Sequence, residues 1–207
     1  MVGDSITLGG SAPAGSQMVD LLRSGDTPLA FEALQAGFSG SSMDTDWSVN
    51  SGNPRRNCIY GTCYQTVLEP LYPYTLVHVL LGTNDAIGYY QPGPSDVPTT
   101  EAEYKAALEN FVGFVQAKDA TVKVIVSKPP YRADYAIPSA TNDLIDDYAD
   151  AIDEVVAADG LVLAGCDMRT LLDIPDDFEA GPGAHPDGSG HAKIAACLEP
   201  IIEAALP

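Results

Sequence analysis

Five short apolar runs, separated by longer amphipathic or polar stretches, most constrain how this 207-residue chain can fold. The runs are rich in Val, Leu and Ile and show no polar alternation, which is typical of parallel strands covered on both faces. They are MVG (1–3), LAFEAL (29–34), TLVHVLL (75–81), VKVIV (122–126) and LVLAGC (161–166). Because helix candidates alternate with these runs, the chain is expected to make right-handed crossovers and to form a doubly wound α/β sandwich.

The helix candidates lie between the apolar runs. Thr100 and Glu103 form a capping box, which predicts a helix start at this point. Further helices are predicted from Ser139 and from about Ser189. The first two carry apolar stripes: Tyr104, Leu108, Phe111, Val112 and Val115, then Leu144, Ile145, Tyr148, Ile152, Val155 and Val156. No linker divides the chain, so we predict a single domain over residues 1–207.

The charge of the chain limits its partners. Ten basic and 29 acidic residues give a net charge of −19, and a surface this negative repels phosphate backbones and anionic lipid. We therefore predict no nucleic-acid and no membrane partner. We also predict no metal site, because the cysteine spacings do not match a zinc site and the chain has three histidines. His78 lies in an apolar run and His191 in a predicted helix, so both are expected to be structural.

Four cysteines indicate the compartment. Cys58 and Cys63 share one loop, while Cys166 ends an apolar run and Cys197 lies on the predicted last helix. We predict the disulfides Cys58–Cys63 and Cys166–Cys197, and hence a secreted protein, the alternative being four buried free thiols. No signal peptide is recognisable, and a strand starts at once, which is compatible with a natural chain that begins earlier.

The first apolar run leads into GDSITLGG, which has three interpretations. It could be a phosphate-binding loop, but it lacks the Lys-Ser/Thr ending of a Walker sequence. It could be a structural turn, in which serine is common. It could also present Ser5 as a nucleophile, since ligands bind outside the carboxyl ends of parallel strands.

The other runs supply what a nucleophilic serine needs. Imidazole suits proton transfer at neutral pH, and a developing oxyanion needs hydrogen-bond donors. His185 could serve as the base, and Gly40 and Asn84 as a backbone and a side-chain donor, although each also fits a turn. Because Ser5 and these three residues follow different apolar runs, their coincidence predicts a serine hydrolase site.

These segments resemble a known family. GDSIT, AGFSG, GTND and HP, in this order between residue 3 and about residue 196, resemble the four blocks of the SGNH hydrolases, also called GDSL esterases and lipases. The resemblance implies a flavodoxin-like, three-layer α/β/α sandwich with a central, parallel, five-stranded sheet, and no metal or organic cofactor. It implies Ser5 as nucleophile, His185 as base, and an oxyanion hole made by the N–H groups of Ser5 and Gly40 and the Asn84 side chain.

One position departs from the family pattern. The family reads Asp-x-x-His, with the aspartate orienting the imidazole, but here Pro182 occupies that slot. A carboxylate in this role also stabilises the imidazolium that forms during catalysis. The remaining candidates are a backbone carbonyl or one of three acids in the preceding loop. These acids are Glu179, Asp177 and Asp176.

The predicted activity is hydrolysis of short acyl esters through an acyl-enzyme, with acetyl groups on carbohydrate as the expected substrate. Two polar stretches, 41–66 and 86–99, contain Trp47 and Tyr89, which could flank a sugar, although loop packing explains them equally well. A secreted location also resembles the carbohydrate acetyl esterases of this family. The alternatives are a lysophospholipase or acyl-thioesterase, and a non-catalytic carbohydrate-binding protein on the same fold. A monomer is expected.

Overall fold

The fold is given by a computed structural model. It describes residues 1–3, 7, 13, 16–24, 36–37, 43, 72–87, 98–132, 139–174, 176–179 and 185–207. In chain order the elements are β1 (Val2–Gly3), α1 (Met18–Ser24), β2 (Ala36–Gly37), β3 (Leu76–Leu80), α2 (Thr83–Ala86), α3 (Glu101–Lys118), β4 (Lys123–Lys128), α4 (Ser139–Ala158), β5 (Val162–Asp167), α5 (Met168–Leu171) and α6 (Gly188–Ala205).

The strands form one parallel sheet in the order β2-β1-β3-β4-β5. The strands β3, β4 and β5 are five or six residues long, whereas β1 and β2 contribute two residues each. The predicted α/β fold with a parallel sheet is thus confirmed. The apolar run 29–34 lies outside the described residues, and β2 follows it at Ala36–Gly37, inside AGFSG.

Helices cover both faces of the sheet. Neighbouring residues of a strand point to opposite sides, so the apolar strands need a packing partner on each face. On one face, β3 and β4 pack through valines against α3 and α4. On the other face, Leu80 and Ile125 pack with α1 and α6. The result is a layer of helices on each side of the sheet. Among the described helices, none combines the length and apolar character needed to cross a membrane.

The predicted capping box is present at the start of α3. Thr100 Oγ1 accepts the Glu103 N–H at 3.4 Å, and Glu103 Oε2 accepts the Thr100 N–H at 2.9 Å. All five residues of the predicted apolar stripe that follows are buried in the core. Local sequence therefore fixed both the start of α3 and the face that it packs.

A disulfide links β5 to α6. Cys166 and Cys197 are bonded, as predicted, and lie 31 residues apart in sequence. Closing a loop of this length removes unfolded-state entropy that corresponds to about 3–4 kcal/mol of stability. The other predicted pair, Cys58 and Cys63, lies outside the described residues.

Candidate active site

The turn after β3 is fixed by the core beneath it. Gly82 has a φ of 129°, a left-handed conformation that side chains disfavour, and an added Cβ would meet Pro129 Cγ at 2.9 Å. The buried Tyr104 hydroxyl donates to the Leu81 carbonyl at 2.9 Å. The short helix α2 begins directly after this turn and carries Asn84, which is 7% exposed.

Asp85, the next residue, is engaged through its carboxylate. Both of its oxygens accept the backbone N–H of Met43, at 2.9 and 3.0 Å. Its own carbonyl accepts the Thr99 N–H at 3.0 Å. Asp85 is 2% exposed, and Met43 is also fully buried. Asp85 could not be recognised from the sequence, because a backbone N–H partner leaves no trace there.

A short antiparallel ladder positions His185. Phe178 and Pro186 face each other in an isolated bridge. On either side, the Glu179 N–H donates to the His185 carbonyl at 3.2 Å, and the Asp187 N–H donates to the Asp177 carbonyl at 2.9 Å. Proline fits opposite Phe178 because a bridge flanked in this way needs no N–H from either central residue.

The ladder places a carboxylate on the His185 ring. Glu179 Oε1 lies 3.0 Å from His185 Nδ1, and the two side chains are 35% and 31% exposed. An ionised carboxylate only accepts hydrogen bonds, so this contact favours the tautomer of a neutral imidazole that carries its hydrogen on Nδ1. The other nitrogen, Nε2, then carries the lone pair, which is the state that a general base requires.

The other two candidate acids have different positions. Asp177 is buried, and its carboxylate accepts the Asp173 N–H at 2.7 Å and Lys193 Nζ at 2.6 Å. Burial raises the pKa of Asp177, but the hydrogen bonds from Lys193 and the Asp173 amide outweigh this and hold it below its ordinary value. Asp176 is exposed. Of the three acids, Glu179 is the one that the structure pairs with the imidazole.

The helix that follows His185 is tightly capped. Asp187 Oδ1 accepts the N–H groups of Ser189 and Gly190, at 2.7 and 3.0 Å. Hydrogen bonds from Ser189 and from the Gly190 amide hold the pKa of Asp187 below its ordinary value. Gly190 is required for space, since an added Cβ would lie 2.5 Å from the Asp177 carbonyl oxygen. The start of α6 and the ladder are therefore packed directly against each other.

His185 and Asn84 lie at the same edge of the sheet. At the far end of α6, the Ala205 carbonyl accepts a hydrogen bond from Lys123 Nζ at 2.6 Å. Lys123 begins β4, so this end of α6 lies at the amino edge of the sheet. The start of α6, and with it His185, consequently lies at the carboxyl edge, where β3 leads to Asn84. In sheets of this strand order, ligands bind at the carboxyl edge, next to the gap between β1 and β3.

The other two histidines differ from His185 in their burial and in their pKa values. His78 is buried with Nε2 2.9 Å from Ser127 Oγ, and burial lowers its pKa to about 3. His191 is buried, its Nδ1 accepts the Met18 N–H at 3.4 Å, and burial lowers its pKa to about 4. Both rings are therefore neutral and enclosed at neutral pH. Of the three histidines, His185 alone is half-buried rather than buried, so it is the one that a substrate can reach.

The remaining predicted site residues, Ser5, Gly40, Trp47 and Tyr89, lie outside the described residues. In the sequence, Ser5 follows the end of β1 by two residues and Gly40 follows the end of β2 by three. Within the described part of the chain, no group of three His, Cys, Asp or Glu side chains is arranged to hold a metal ion.

Comparisons with known proteins concern the family and the fold. Residues 1–193 match the GDSL-like lipase/acylhydrolase family. A comparison with curated protein sequences gives no significant match. Solved structures with a similar fold include an aryl esterase of M. smegmatis, with 19% identity, a TM-score of 0.74, and coverage of 99% of this chain and 97% of that one.

Two further similar structures are those of esterases described as acting on carbohydrate. A carbohydrate acetylesterase family member from Sinorhizobium meliloti has 16% identity and a TM-score of 0.74, covering 99% of this chain and 98% of that one. A mutant acetyl-xylooligosaccharide esterase from Geobacillus has 19% identity and a TM-score of 0.66, covering 95% and 89%. At these identities the likeness concerns the fold. The match to the family itself covers nearly the whole chain, so this protein belongs to the GDSL-like lipase/acylhydrolase family and is a carboxylic ester hydrolase.

Proposed function

We propose that this protein is a serine esterase that removes short acyl groups, acetyl above all, from carbohydrate, with residues 1–207 forming one catalytic domain. The observation that carries the proposal is the His185–Glu179 pair at the carboxyl edge of the sheet. A carboxylate on Nδ1 holds a catalytic histidine in the tautomer that it needs, and His185 is the half-buried histidine that a substrate can reach. Glu179 thus takes the role that Pro182 cannot fill.

The proposed reaction uses Ser5 and His185 in turn. Ser5 Oγ bonds to the ester carbonyl carbon while its proton passes to His185 Nε2. The negative charge on the carbonyl oxygen is held by the N–H groups of Ser5 and Gly40 and by the Asn84 side-chain amide. Collapse of this intermediate expels the alcohol, which takes the proton from His185. Water then hydrolyses the acyl-serine by the same route and restores the free enzyme.

The carbohydrate part of the proposal has separate support. Two of the structures with a similar fold are described as carbohydrate acetylesterases or acetyl-xylooligosaccharide esterases. Trp47 and Tyr89 are proposed to flank the sugar, because aromatic faces suit sugar rings. The Cys166–Cys197 disulfide supports a secreted protein, where polysaccharide is available. We propose further that the protein acts as a monomer with a central sheet of five strands.

Hydrolysis of para-nitrophenyl esters of increasing chain length, and of acetylated xylo-oligosaccharide, tests the proposal. We expect the highest kcat/KM on acetate, release of acetate from the oligosaccharide, and loss of both activities in Ser5→Ala. Thr121→Ala is the matched control, because this hydroxyl bonds Asp119 in the turn before β4, at the opposite edge of the sheet. A preference for long acyl chains would favour a lysophospholipase or thioesterase. A folded, inactive protein that binds the oligosaccharide would establish the binding-only alternative.

A further inference from the structure

The carboxylate of Asp85 is placed where a charge is normally avoided. Asp85 is 2% exposed, and burying a carboxylate is strongly unfavourable unless hydrogen bonds replace those that it made to water. Both oxygens here converge on one backbone group, the N–H of Met43. Hydrogen bonds to a charged acceptor are about twice as strong as neutral ones, so this contact holds the chain at Met43 firmly.

The turn that carries Asp85 is itself immobilised by the core. The Thr99 N–H donates to the Asp85 carbonyl, and the Tyr148 hydroxyl donates to the Thr99 carbonyl. On the other side of the turn, the Tyr104 hydroxyl donates to the Leu81 carbonyl. The rings of Tyr104 and Tyr148 are stacked, with centroids 4.3 Å apart, and both are fully buried. Asp85 is therefore a fixed anchor for the backbone N–H of Met43.

The two proposed oxyanion donors, Asn84 and Gly40, lie close in sequence to the two residues of the Asp85–Met43 contact. Asn84 directly precedes Asp85, and Gly40 precedes Met43 by three residues, a tether of only three peptide units. An oxyanion hole works only when its donors are aimed together at one oxygen atom. We propose that Asp85 is a positioning residue that sets the Gly40 and Asn84 donors relative to each other by binding the Met43 N–H. This inference rests on the proposed function.

The two substitutions Asp85→Asn and Asp85→Ala test this role. Asn keeps one acceptor oxygen for the Met43 N–H but loses the charge, whereas Ala loses the contact entirely. We expect kcat on para-nitrophenyl acetate to fall about tenfold in Asp85→Asn and about 10²-fold in Asp85→Ala, with KM within twofold. If Asp85→Ala does not fold, the loss of kcat in Asp85→Asn carries the test.

A double-mutant cycle separates positioning from general support of the fold. In the Asn84→Ala background one donor is already absent, so the Asp85 substitutions should lower kcat much less than in the wild type. Asp159→Asn is the matched control, since Asp159 also accepts a backbone N–H, that of Leu161, at the amino edge of the sheet. It should leave kcat unchanged.

Two results would overturn the inference: an unchanged kcat in a folded Asp85 variant, or an equal loss of kcat with and without Asn84. Failure of the proposed function is recognised separately. In that case either the wild type would show no esterase activity or Ser5→Ala would retain it in full, whatever the Asp85 variants do.

Discussion

Glu179 and His185 face each other across an antiparallel ladder, with 3.0 Å between Oε1 and Nδ1. The ladder places the two residues opposite each other because Phe178 pairs with Pro186 one step away. A carboxylate six positions before the histidine thereby reaches the ring, although the family pattern places it three positions before. Both side chains are about one-third exposed, so water competes with the pair to some extent.

Glu179→Gln is expected to lower kcat on acetyl esters by roughly 10²-fold, with KM little changed. The neutral amide removes the charge that stabilises the imidazolium and allows the ring to adopt the wrong tautomer. We expect a smaller loss of kcat than the same substitution of a fully buried triad aspartate would cause, because solvent partly replaces an exposed carboxylate. The kcat on para-nitrophenyl acetate and the rate at which an organophosphonate reacts with Ser5 should fall together.

Asp176→Asn is the control for this experiment. Asp176 was an equal candidate in the sequence, but it is exposed, and its loss should leave kcat unchanged. A fully active Glu179→Gln variant would mean that a backbone carbonyl orients His185.

The sequence could not choose among the three acids because the choice depends on ladder register. Asp177 and Glu179 lie two residues apart and point to the same side of the ladder. In the observed register Glu179 faces His185 and Asp177 faces Asp187, whereas a shift of two residues would place Asp177 opposite His185. Register is set by packing of the opposite side, where Phe178 and Pro186 are buried. That packing is tertiary, and no local pattern encodes it.

Features with a local cause were predictable. The box of Thr100 and Glu103 and the apolar stripe of α3 follow from contacts within one or two turns of helix. The strands β3, β4 and β5 follow from apolar runs, and the Cys166–Cys197 pair from their positions on β5 and the last helix. The contact between Asp85 and Met43 was not predictable, since residues 42 positions apart meet through a backbone group.

The buried His78 predicts a pH dependence of stability. Burial lowers its folded-state pKa to about 3, while the unfolded value is near 6.5. Between these values the unfolded chain binds a proton that the folded protein excludes, so stability is lost as the pH falls below about 6.5. At pH 4.5 we expect His78 to account for a loss of about 2–3 kcal/mol relative to pH 7. Urea unfolding at several pH values measures this.

His78→Asn isolates the contribution of this residue. Asn retains a hydrogen-bonding group for Ser127 but does not titrate, so the variant should lose less stability between pH 7 and pH 4.5. His191, whose pKa burial lowers to about 4, acts in the same direction and is present in both proteins. The carboxylates of Asp177 and Asp187, with lowered pKa values, contribute only in more acidic solution. Parallel stability curves for the two proteins would contradict the prediction.

Lys193→Met is expected to lower both the melting temperature and kcat. Lys193 Nζ bridges Asp173 and Asp177 at 2.7 and 2.6 Å, and these hydrogen bonds raise the pKa of Lys193 to about 12. Without the ammonium group, the buried carboxylate of Asp177 loses its charged partner. Because Asp177 anchors the ladder that aims Glu179 at His185, we expect kcat to fall several-fold as the melting temperature drops by a few degrees. Thermal unfolding and ester hydrolysis measure the two effects.

Lys105→Met provides the comparison. Lys105 Nζ also lies 2.6 Å from a carboxylate, that of Glu154, but this carboxylate is 60% exposed, whereas that of Asp177 is 4% exposed. Exposed pairs of this kind contribute little, so neither the melting temperature nor kcat should change measurably. If Lys193→Met lowers the melting temperature but leaves kcat intact, the ladder keeps Glu179 on His185 without this anchor. Equal effects of the two substitutions would mean that burial of Asp177 has no bearing on the strength of its ion pair.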